Sequence, residues 1–355
     1  MRFFALVLAL SSLLTVEQRD RYRATLQEPG TSVSGDGRYI AFVSYSTLTP
    51  ADTDNAADVY VLDRQERRVT LESAGGPERS HVNHPRISGD GRLLVYEADE
   101  AIVLRDRHDA ATRILGSGRQ PVISRNGGTV LFTSRKDIYS MDLGSGELRR
   151  VSVDMAASAV SATSTRASIS DDGRYVAFAV RLQRSRHAAP RDEVFVRDTH
   201  RATTTWIATG WAPAVSGDGR YVAYIDTVRN VAQLCVADLS TGQVQLVSRT
   251  AGGARGNGPS AHPSISFDGR FVVFQSEANN LVESEDFNLL SDVFILDRST
   301  AVISRLSGDN DGVWMEPSSG ASVDAAGTVV AFSSRHATDA SDKGHDFDLY
   351  VAELK

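Results

Sequence analysis

A phrase of eleven residues recurs seven times along the chain and constrains its fold more than any other feature. Each copy joins a short polar turn, usually Asp-Gly-Arg, to a run of apolar residues. The copies are SVSGDGRYIAF from Ser32, RISGDGRLLVY from Arg86, VISRNGGTVLF from Val122, SISDDGRYVAF from Ser168, AVSGDGRYVAY from Ala214, SISFDGRFVVF from Ser264 and SVDAAGTVVAF from Ser322. Asp-Gly between apolar β-forming segments is a strong hairpin signal, because glycine adopts positive φ without a Cβ clash. The chain is therefore predicted to contain seven tight hairpins.

A second apolar phrase that ends in an acidic residue follows every copy. These phrases are DVYVLD at Asp58, AIVLRD at Ala101, DIYSMD at Asp137, EVFVRD at Glu193, QLCVAD at Gln233, DVFILD at Asp292 and DLYVAE at Asp348. The strand after each turn is apolar on both faces, whereas later segments such as 67–72 alternate polar and apolar residues. Inner strands buried on both faces and half-exposed outer strands are typical of a propeller blade between two neighbours. The sequence predicts an all-β protein, a seven-bladed β-propeller of four-stranded antiparallel blades.

The two ends of the chain are expected to meet in blade seven. The last repeat has only three strand segments before the sequence ends, and RYRATL at 21–26 is similar to the outer-strand phrase RRVTL at 67–71. We expect this N-terminal segment to complete blade seven, because a shared blade removes the last open sheet edge of the ring.

The first residues, MRFFALVLALSSLL, indicate export. Arg2 precedes an apolar run that is too short to span a bilayer but suits the core of a signal peptide. We expect residues 1–16 to be a signal peptide or anchor, residues 17–355 to form one propeller domain, and the protein to be periplasmic or secreted. Because no Ala-x-Ala cleavage site follows the run, an uncleaved membrane anchor remains the alternative to a cleaved signal peptide. Such an anchor is the only contact with a membrane that we expect.

The composition of the chain and the motifs it lacks argue against several classes of function. The net charge of −7 supplies no overall positive field, so nucleic acid is not an expected partner. The lone Cys235 cannot form an internal disulfide and lies in an apolar run. The sequence contains no GxSxG, HExxH, P-loop or GxGxxG signature. An enzyme is therefore the less favoured class, and no catalytic residue is assigned.

The SxDGRxφAF…DφφVxD repeats resemble those of the TolB-like, WD-type β-propeller family, in particular a secreted bacterial subgroup. The resemblance covers nearly all of the chain from about Arg21; AAG in blade seven and RNGG in blade three depart from the pattern. It implies a propeller whose partner is a protein of the bacterial cell envelope. TolB itself carries an additional N-terminal domain that this chain is not expected to contain. We therefore do not expect the chain to perform the function of TolB itself.

Loop length varies almost entirely between the second and third strands of the blades. These connections are long in blades one, four, six and seven, at 45–57, 181–192, 277–291 and 335–346. They share one face of the disc with the connections between blades, and variable loops on a rigid scaffold commonly form binding sites. Acidic residues concentrate in blades six, seven and one, and basic residues in blade four, although solubility alone also explains exposed charge. The residues are Glu283, Glu285, Asp286, Asp339, Asp342, Asp346, Asp52, Asp54 and Asp58, and Arg181, Arg184, Arg186, His187 and Arg191.

Four residues are predicted to surround the mouth of the central channel. His84 and His262 precede the prolines that open the first strand in blades two and six, and Gln120 and Arg166 hold the matching places in blades three and four. They are candidate ligand-binding residues of a non-catalytic scaffold for an envelope protein, peptide or polysaccharide. The alternative is an enzyme at the channel mouth, such as a metal-dependent polysaccharide lyase, since some propeller lyases belong to related repeat families.

Calcium is the one cofactor that the sequence suggests, and otherwise none is expected. Carboxylates at short spacing suit a hard cation. Two loops supply them: Asp52, Asp54 and Asp58 in blade one, and Glu285, Asp286 and Asp292 in blade six. Neither loop has the glycine and final glutamate of an EF-hand, and Asp is also a common turn residue, so solvated turns remain the alternative. The protein is expected to be a monomer.

Overall fold

A computed structural model describes residues 16–22, 30–54, 56–73, 81–152, 161–283, 290–309, 312–313, 316–336 and 347–354. These residues form seven four-stranded antiparallel sheets and one short hairpin. The fold is all-β and is a seven-bladed β-propeller, as the repeats predict. No helix in the described part of the chain is long and apolar enough to cross a membrane.

Blades one to four follow the chain without interruption, and the innermost strand of each comes first. Blade one contains β2 (Ser32–Val33), β3 (Tyr39–Ser44), β4 (Asp58–Asp63) and β5 (Arg68–Leu71). Blade two contains β6 (Val82–Ile87), β7 (Leu93–Ala98), β8 (Ala101–Asp106) and β9 (Ala111–Ser117). Blade three contains β10 (Arg119–Ile123), β11 (Thr129–Ser134), β12 (Asp137–Asp142) and β13 (Leu148–Arg150). Blade four contains β14 (Ser161–Ile169), β15 (Tyr175–Gln183), β16 (Arg191–Asp198) and β17 (Thr203–Thr209).

The remaining blades include the one that joins the two ends of the chain. Blade five contains β18 (Trp211–Val215), β19 (Tyr221–Val228), β20 (Val231–Asp238) and β21 (Val244–Leu246). Blade six contains β22 (Ser260–Ile265), β23 (Phe271–Ser276), β24 (Asp292–Asp297) and β25 (Val302–Arg305), and the hairpin β26 (Gly308–Asp309) and β27 (Gly312–Val313) follows it. Blade seven contains β28 (Ser318–Val323), β29 (Val329–Ser334), β30 (Asp348–Leu354) and, as its outer strand, β1 (Val16–Tyr22).

The N-terminal strand closes the ring as predicted, but with a different segment. β1 pairs antiparallel with β30, and Arg19 lies opposite Ala352 and Tyr22 opposite Leu349. The expected strand at 21–26 is thus wrong by several residues. An outer strand has few buried side chains to fix its register, so several polar segments fit this place equally well in sequence. Val16 is also the last residue of the expected leader; residues 1–15 and 23–29 lie outside the described part of the chain.

Buried apolar side chains form seven clusters, each shared by two neighbouring blades. One cluster joins Ile225 and Leu234 of blade five to Val272 and Phe274 of blade six. Within single blades, aromatic rings of the second and third strands stack, as do Phe274 and Phe294 with ring centroids 5.7 Å apart. Cys235 is buried in such a cluster, and burial raises the pKa of its thiol to about 12. The thiol is therefore protonated at neutral pH, which is its less reactive form.

The repeated turn is held by the acidic residue that ends the second phrase. In blade one, Ser34 Oγ donates to Asp36 at 2.6 Å, and the Arg38 guanidinium donates to Asp63 at 2.6–3.1 Å. Four other blades repeat the Arg–Asp pair, as Arg92–Asp106, Arg174–Asp198, Arg220–Asp238 and Arg270–Asp297. In these five blades the aspartate therefore joins the hairpin turn to the end of the third strand.

The glycine of each turn makes room for a side chain from the preceding blade. A Cβ on Gly91 would lie 2.1 Å from Cδ2 of Tyr39, and Gly91 has φ +73°. The same juxtaposition joins Gly219 to Tyr175, Gly269 to Tyr221 and Gly327 to Phe271. The turn glycine thus serves both the hairpin and the contact between blades.

A ring of backbone hydrogen bonds links all seven blades at the turn face. One bond crosses each blade interface, from Gly35 N to Gly89 O, Gly89 N to Arg125 O, Asn126 N to Asp171 O, Asp171 N to Gly217 O, Asp218 N to Phe267 O, Phe267 N to Ala325 O and Ala325 N to Gly35 O, at 2.7–3.1 Å. Because the last bond returns to blade one, the ring is closed here independently of β1. We call this face the tight-turn face.

Candidate functional site

A cavity of about 480 Å³ lies on the propeller axis, lined by the first strands of all seven blades. It narrows at the tight-turn face, where Arg125 of blade three reaches across the axis. Its Nη2 donates to Val323 O of blade seven at 3.1 Å, and its Nε lies 3.3 Å from Asp171 Oδ1. Burial raises the pKa of Asp171. The channel therefore has a polar floor at one face and its mouth at the other.

The mouth is formed by a backbone bulge that recurs in the first strands. His84, Gln120, Ala212 and His262 each have φ between +48° and +54°, and each precedes a proline. The strand register shifts at each of these places, and it also shifts between Thr165 and Ala167 around Arg166. A bulge re-aims the side chains beside it, and His84, Gln120 and His262 all line the cavity. Arg166 lies in β14, and its side chain is outside the described part of the chain.

Both histidines of the mouth face a polar side chain from the second strand of their own blade. His84 Nδ1 lies 3.4 Å from Glu97 Oε2, and the same oxygen accepts a hydrogen bond from Gln120 N at 3.1 Å. In blade six, His262 Nδ1 hydrogen-bonds Gln275 Oε1. Glu97 is buried and joins His84 of blade two and Gln120 of blade three into one hydrogen-bond network. His262 and Gln275 of blade six form a separate pair.

Sequence analysis missed Glu97 and Gln275. Both occupy the last position but one of the second strand, in LLVYEA and FVVFQS. A charged or amide side chain in a strand that is otherwise apolar on both faces was the available signal, because a buried polar group requires a partner.

The carboxylates of the blade-one loop lie together. Oxygen atoms of Asp52, Asp54 and Asp58 are within 4.8 Å of one another, a grouping that could hold a hard cation. Burial, followed by the charges of Asp52 and Asp54, raises the pKa of Asp58. Asp52 Oδ2 accepts a hydrogen bond from Tyr60 Oη at 2.5 Å. Backbone amides also bond two of these carboxylates, Ala56 N to Asp54 and Asp54 N to Asp52, as in an ordinary Asp turn.

The first residue of the third strand has a structural partner in several blades. Asp292 is fully buried, accepts a hydrogen bond from Ser307 Oγ at 2.5 Å and lies 3.8 Å from Arg305 Nη1. Equivalent hydrogen bonds join Asp58 to Ser73 and Asp137 to Ser152, and a similar one joins Gln233, the third residue of β20, to Ser248. Asp58 and Asp292 therefore open their strands in the same way as residues with no suggested cation role. Glu285 and Asp286 lie outside the described residues.

Among the described residues, the three blade-one aspartates are the one group of three or more His, Cys, Asp or Glu side chains close enough to hold a metal ion. His84 and His262 are not part of such a group. In blade four, Arg181 lies 3.8 Å from Asp192 and Arg184 lies 2.8 Å from Glu193, so acidic neighbours offset part of that loop's positive charge.

No protein-family model matches the chain, and no curated protein matches its sequence. Among solved structures, an oligogalacturonate lyase in complex with manganese aligns with a TM-score of 0.62 and 14% identity over 96% of each chain. An oligogalacturonate lyase from Vibrio parahaemolyticus aligns with a TM-score of 0.61 and 14% identity over 96% of this chain and 97% of that one. The β-propeller domain of the Trilobed protease from Pyrococcus furiosus has a TM-score of 0.61 and 13% identity over 94% and 97%.

TolB from Acinetobacter baumannii is also similar, with 19% identity and a TM-score of 0.48. The alignment covers 76% of this chain, which spans 63% of the length of that TolB. At such identities, similarity concerns fold and not activity. In its fold, the chain is a seven-bladed β-propeller.

Proposed function

We propose that the protein is a non-catalytic scaffold of the bacterial envelope or secreted fraction, which binds a protein, peptide or polymer at the face opposite the tight turns. The contrast between the two faces carries this proposal. On the tight-turn face, five residues join the first two strands in every blade. On the opposite face, the connections between the second and third strands range from two residues in blade two to fifteen in blade six. We call this the loop face.

A rigid ring with variable loops on one side is the arrangement in which loops can specify a partner. The cavity mouth opens among these loops, and its volume suits a side chain or chain end of a larger ligand. Gln120 and His84 supply hydrogen-bonding groups there, and the buried Glu97 contacts the His84 ring and the backbone N of Gln120. The His84 side chain and the Gln120 backbone are therefore positioned before a ligand arrives, which reduces the entropy lost on binding.

The hydroxyl groups of the channel wall support binding over nucleophilic catalysis. Ser32 Oγ accepts a hydrogen bond from Ile87 N, Ser168 Oγ from Val215 N and Ser264 Oγ from Val323 N. Each serine thus links its blade to another blade through the backbone. A nucleophilic serine instead needs a general base within hydrogen-bond reach.

The test is capture of a partner from the envelope fraction of the bacterium that encodes the protein. The intact protein should enrich a specific protein or polysaccharide, and replacing 283–290 by a Gly-Ser linker should remove the enrichment. Glu147→Ser, in an exposed turn on the tight-turn face, is the matched control and should retain it. Equal capture by both variants would refute binding at the loop face. Cell fractionation tests the proposed export.

A polysaccharide-cleaving enzyme is the second candidate, and the His84–Glu97 pair favours it. A histidine beside a buried carboxylate can act as a general base. His84→Ala and His262→Ala separate the two functions. In a scaffold, the affinity for the captured partner should stay within a few-fold. In a lyase, formation of unsaturated products from uronate polysaccharides should fall by orders of magnitude.

A further inference from the structure

In several blades a row of paired side chains runs outward from the second strand to the fourth. In blade four the row is aromatic throughout: Phe178 pairs with Phe195, whose ring centroid is 6.0 Å away, and Phe195 pairs with Trp206. In blades three and six the same row ends on arginine, at Arg150 and Arg305. A charged residue on an edge strand discourages pairing with another chain. Blade four instead ends on Trp206, which is 54% exposed.

β17 also differs from the other outer strands along its whole length. Its sequence, TTTWIAT, contains no charged residue, proline or glycine. Among the outer strands whose side chains are described, β9 is as long but contains Arg113, and β5, β13 and β25 are shorter and contain arginine. β21 is uncharged but has three residues. A long, uncharged edge strand of high β propensity is a site for strand addition.

We propose that β17 pairs antiparallel with β17 of a second copy across a twofold axis at Trp206. In this register Thr203 lies opposite Thr209 of the other copy, and the two Trp206 side chains lie opposite each other. The aromatic row then continues through the interface into the second blade four. Aromatic pairs directly opposite each other stabilise antiparallel strands, and no like charges meet along the seven residues.

Charges at the ends of the strand also complement each other in this register. Arg201, whose side chain is 75% exposed, lies two residues before Thr203. Thr209, opposite Thr203 of the other copy, donates a hydrogen bond to Asp226 at 3.2 Å. The twofold axis therefore brings Arg201 of each copy toward Asp226 of the other. A corresponding pair of β9 strands, centred on Ile114, would instead bring two Arg113 side chains near each other.

The dimer is weak, because pairing of two edge strands buries less surface than a standard protein interface. The sequence predicted a monomer, which is the expected state in dilute solution. The rim lies away from the loop face, and because the paired strands run in opposite directions, the loop faces of the two copies point to opposite sides and both remain accessible in the dimer.

Sedimentation velocity across a wide range of concentration tests the pairing. The wild-type protein should shift from monomer toward dimer as concentration rises. Trp206→Arg, which ends the row as blade three does, should weaken the dimer at least about tenfold. Ile114→Arg is the matched control, since Ile114 is 71% exposed on the outer strand of blade two, and it should leave association unchanged. A wild-type monomer at every concentration, or equal loss in both variants, would overturn the proposal.

Hydrogen exchange provides a test that needs no substitution. Exchange of backbone amides within 203–209 should slow as wild-type concentration increases, whereas amides of β9 should exchange at a constant rate. Concentration-independent exchange in 203–209 would refute pairing through β17, even if Trp206→Arg failed to fold.

Discussion

Gly91→Ala tests the idea that a turn glycine accommodates the neighbouring blade. The Tyr39 ring beside Gly91 cannot move aside easily, because guanidinium groups lie over it, Arg38 at 4.9 Å and Arg107 at 4.8 Å from its centroid. Arg107 Nη1 also donates to Gly91 O at 2.6 Å, so the glycine, the ring and the arginine form one contact. A methyl group at residue 91 therefore displaces a side chain that is held from two directions.

The chain offers a matched control for the backbone conformation. Gly146, in the turn between β12 and β13, has the same φ of +73° as Gly91, but a Cβ there would meet nothing within 4 Å. Gly146→Ala should cost about 1 kcal/mol, from alanine in the left-handed region alone. Gly91→Ala should cost this amount plus about 1–3 kcal/mol for overpacking against Tyr39.

Urea unfolding of both variants, followed by circular dichroism, measures the difference in the free energy of unfolding. Combining Gly91→Ala with Tyr39→Ala completes a double-mutant cycle, in which the added alanine should cost no more than Gly146→Ala does. Equal destabilisation by Gly91→Ala and Gly146→Ala would refute the contact argument and leave the glycine with a backbone role only.

Three further predictions concern charge and closure. Asp58→Asn should raise the melting temperature in chelator, because the raised pKa of Asp58 means that its charge destabilises the fold. The same substitution should abolish any stabilisation by calcium. If the wild-type protein melts at the same temperature with calcium and with chelator, the cation is excluded. The hydrogen bond from Arg174 lowers the pKa of Asp198 to about 2, so the stability of the wild-type protein should fall between about pH 4 and pH 2. Acid unfolding of Arg174→Gln should show a less steep loss of stability over this range. Deleting 1–22 should lower the melting temperature and promote aggregation by exposing the edge of β30, whereas deleting 1–15 should do neither; equal melting of the two would contradict closure through β1.

The blade architecture was predictable because its signals are local and repeated. Each Asp-Gly turn specifies a hairpin by backbone sterics, and each apolar strand after it requires cover on both faces. Seven copies leave few alternatives to a ring. The position of β1 was not predictable in the same way, since VEQRDRY and RYRATL are both polar segments, and the sequence pattern of an outer strand does not distinguish them.

The site was only partly predictable, because its partners lie far apart in sequence. The position of His84 before Pro85 places it at the mouth, but its contact with Glu97 depends on the pairing of β6 with β7. The contact of Glu97 with Gln120 depends further on the packing of blade two against blade three. Periodicity specifies which residues face a neighbouring element, but not which polar groups meet there.

The repeats themselves indicate where specificity resides. Ser34, Asp36 and Arg38 of the repeated turn are all engaged in hydrogen bonds that hold the blade, so these residues are not available to choose a ligand. The position two residues before each repeated phrase differs, because its side chain changes from blade to blade. Around the ring this position is held by Gly30, His84, Gln120, Arg166, Ala212, His262 and Gly320. Blades seven and one place glycine there, and the polar members lie in blades two, three, four and six. The mouth is therefore asymmetric: a ligand that enters it has most room beside blades seven and one, and it finds hydrogen-bonding groups at His84, Gln120 and His262 of blades two, three and six.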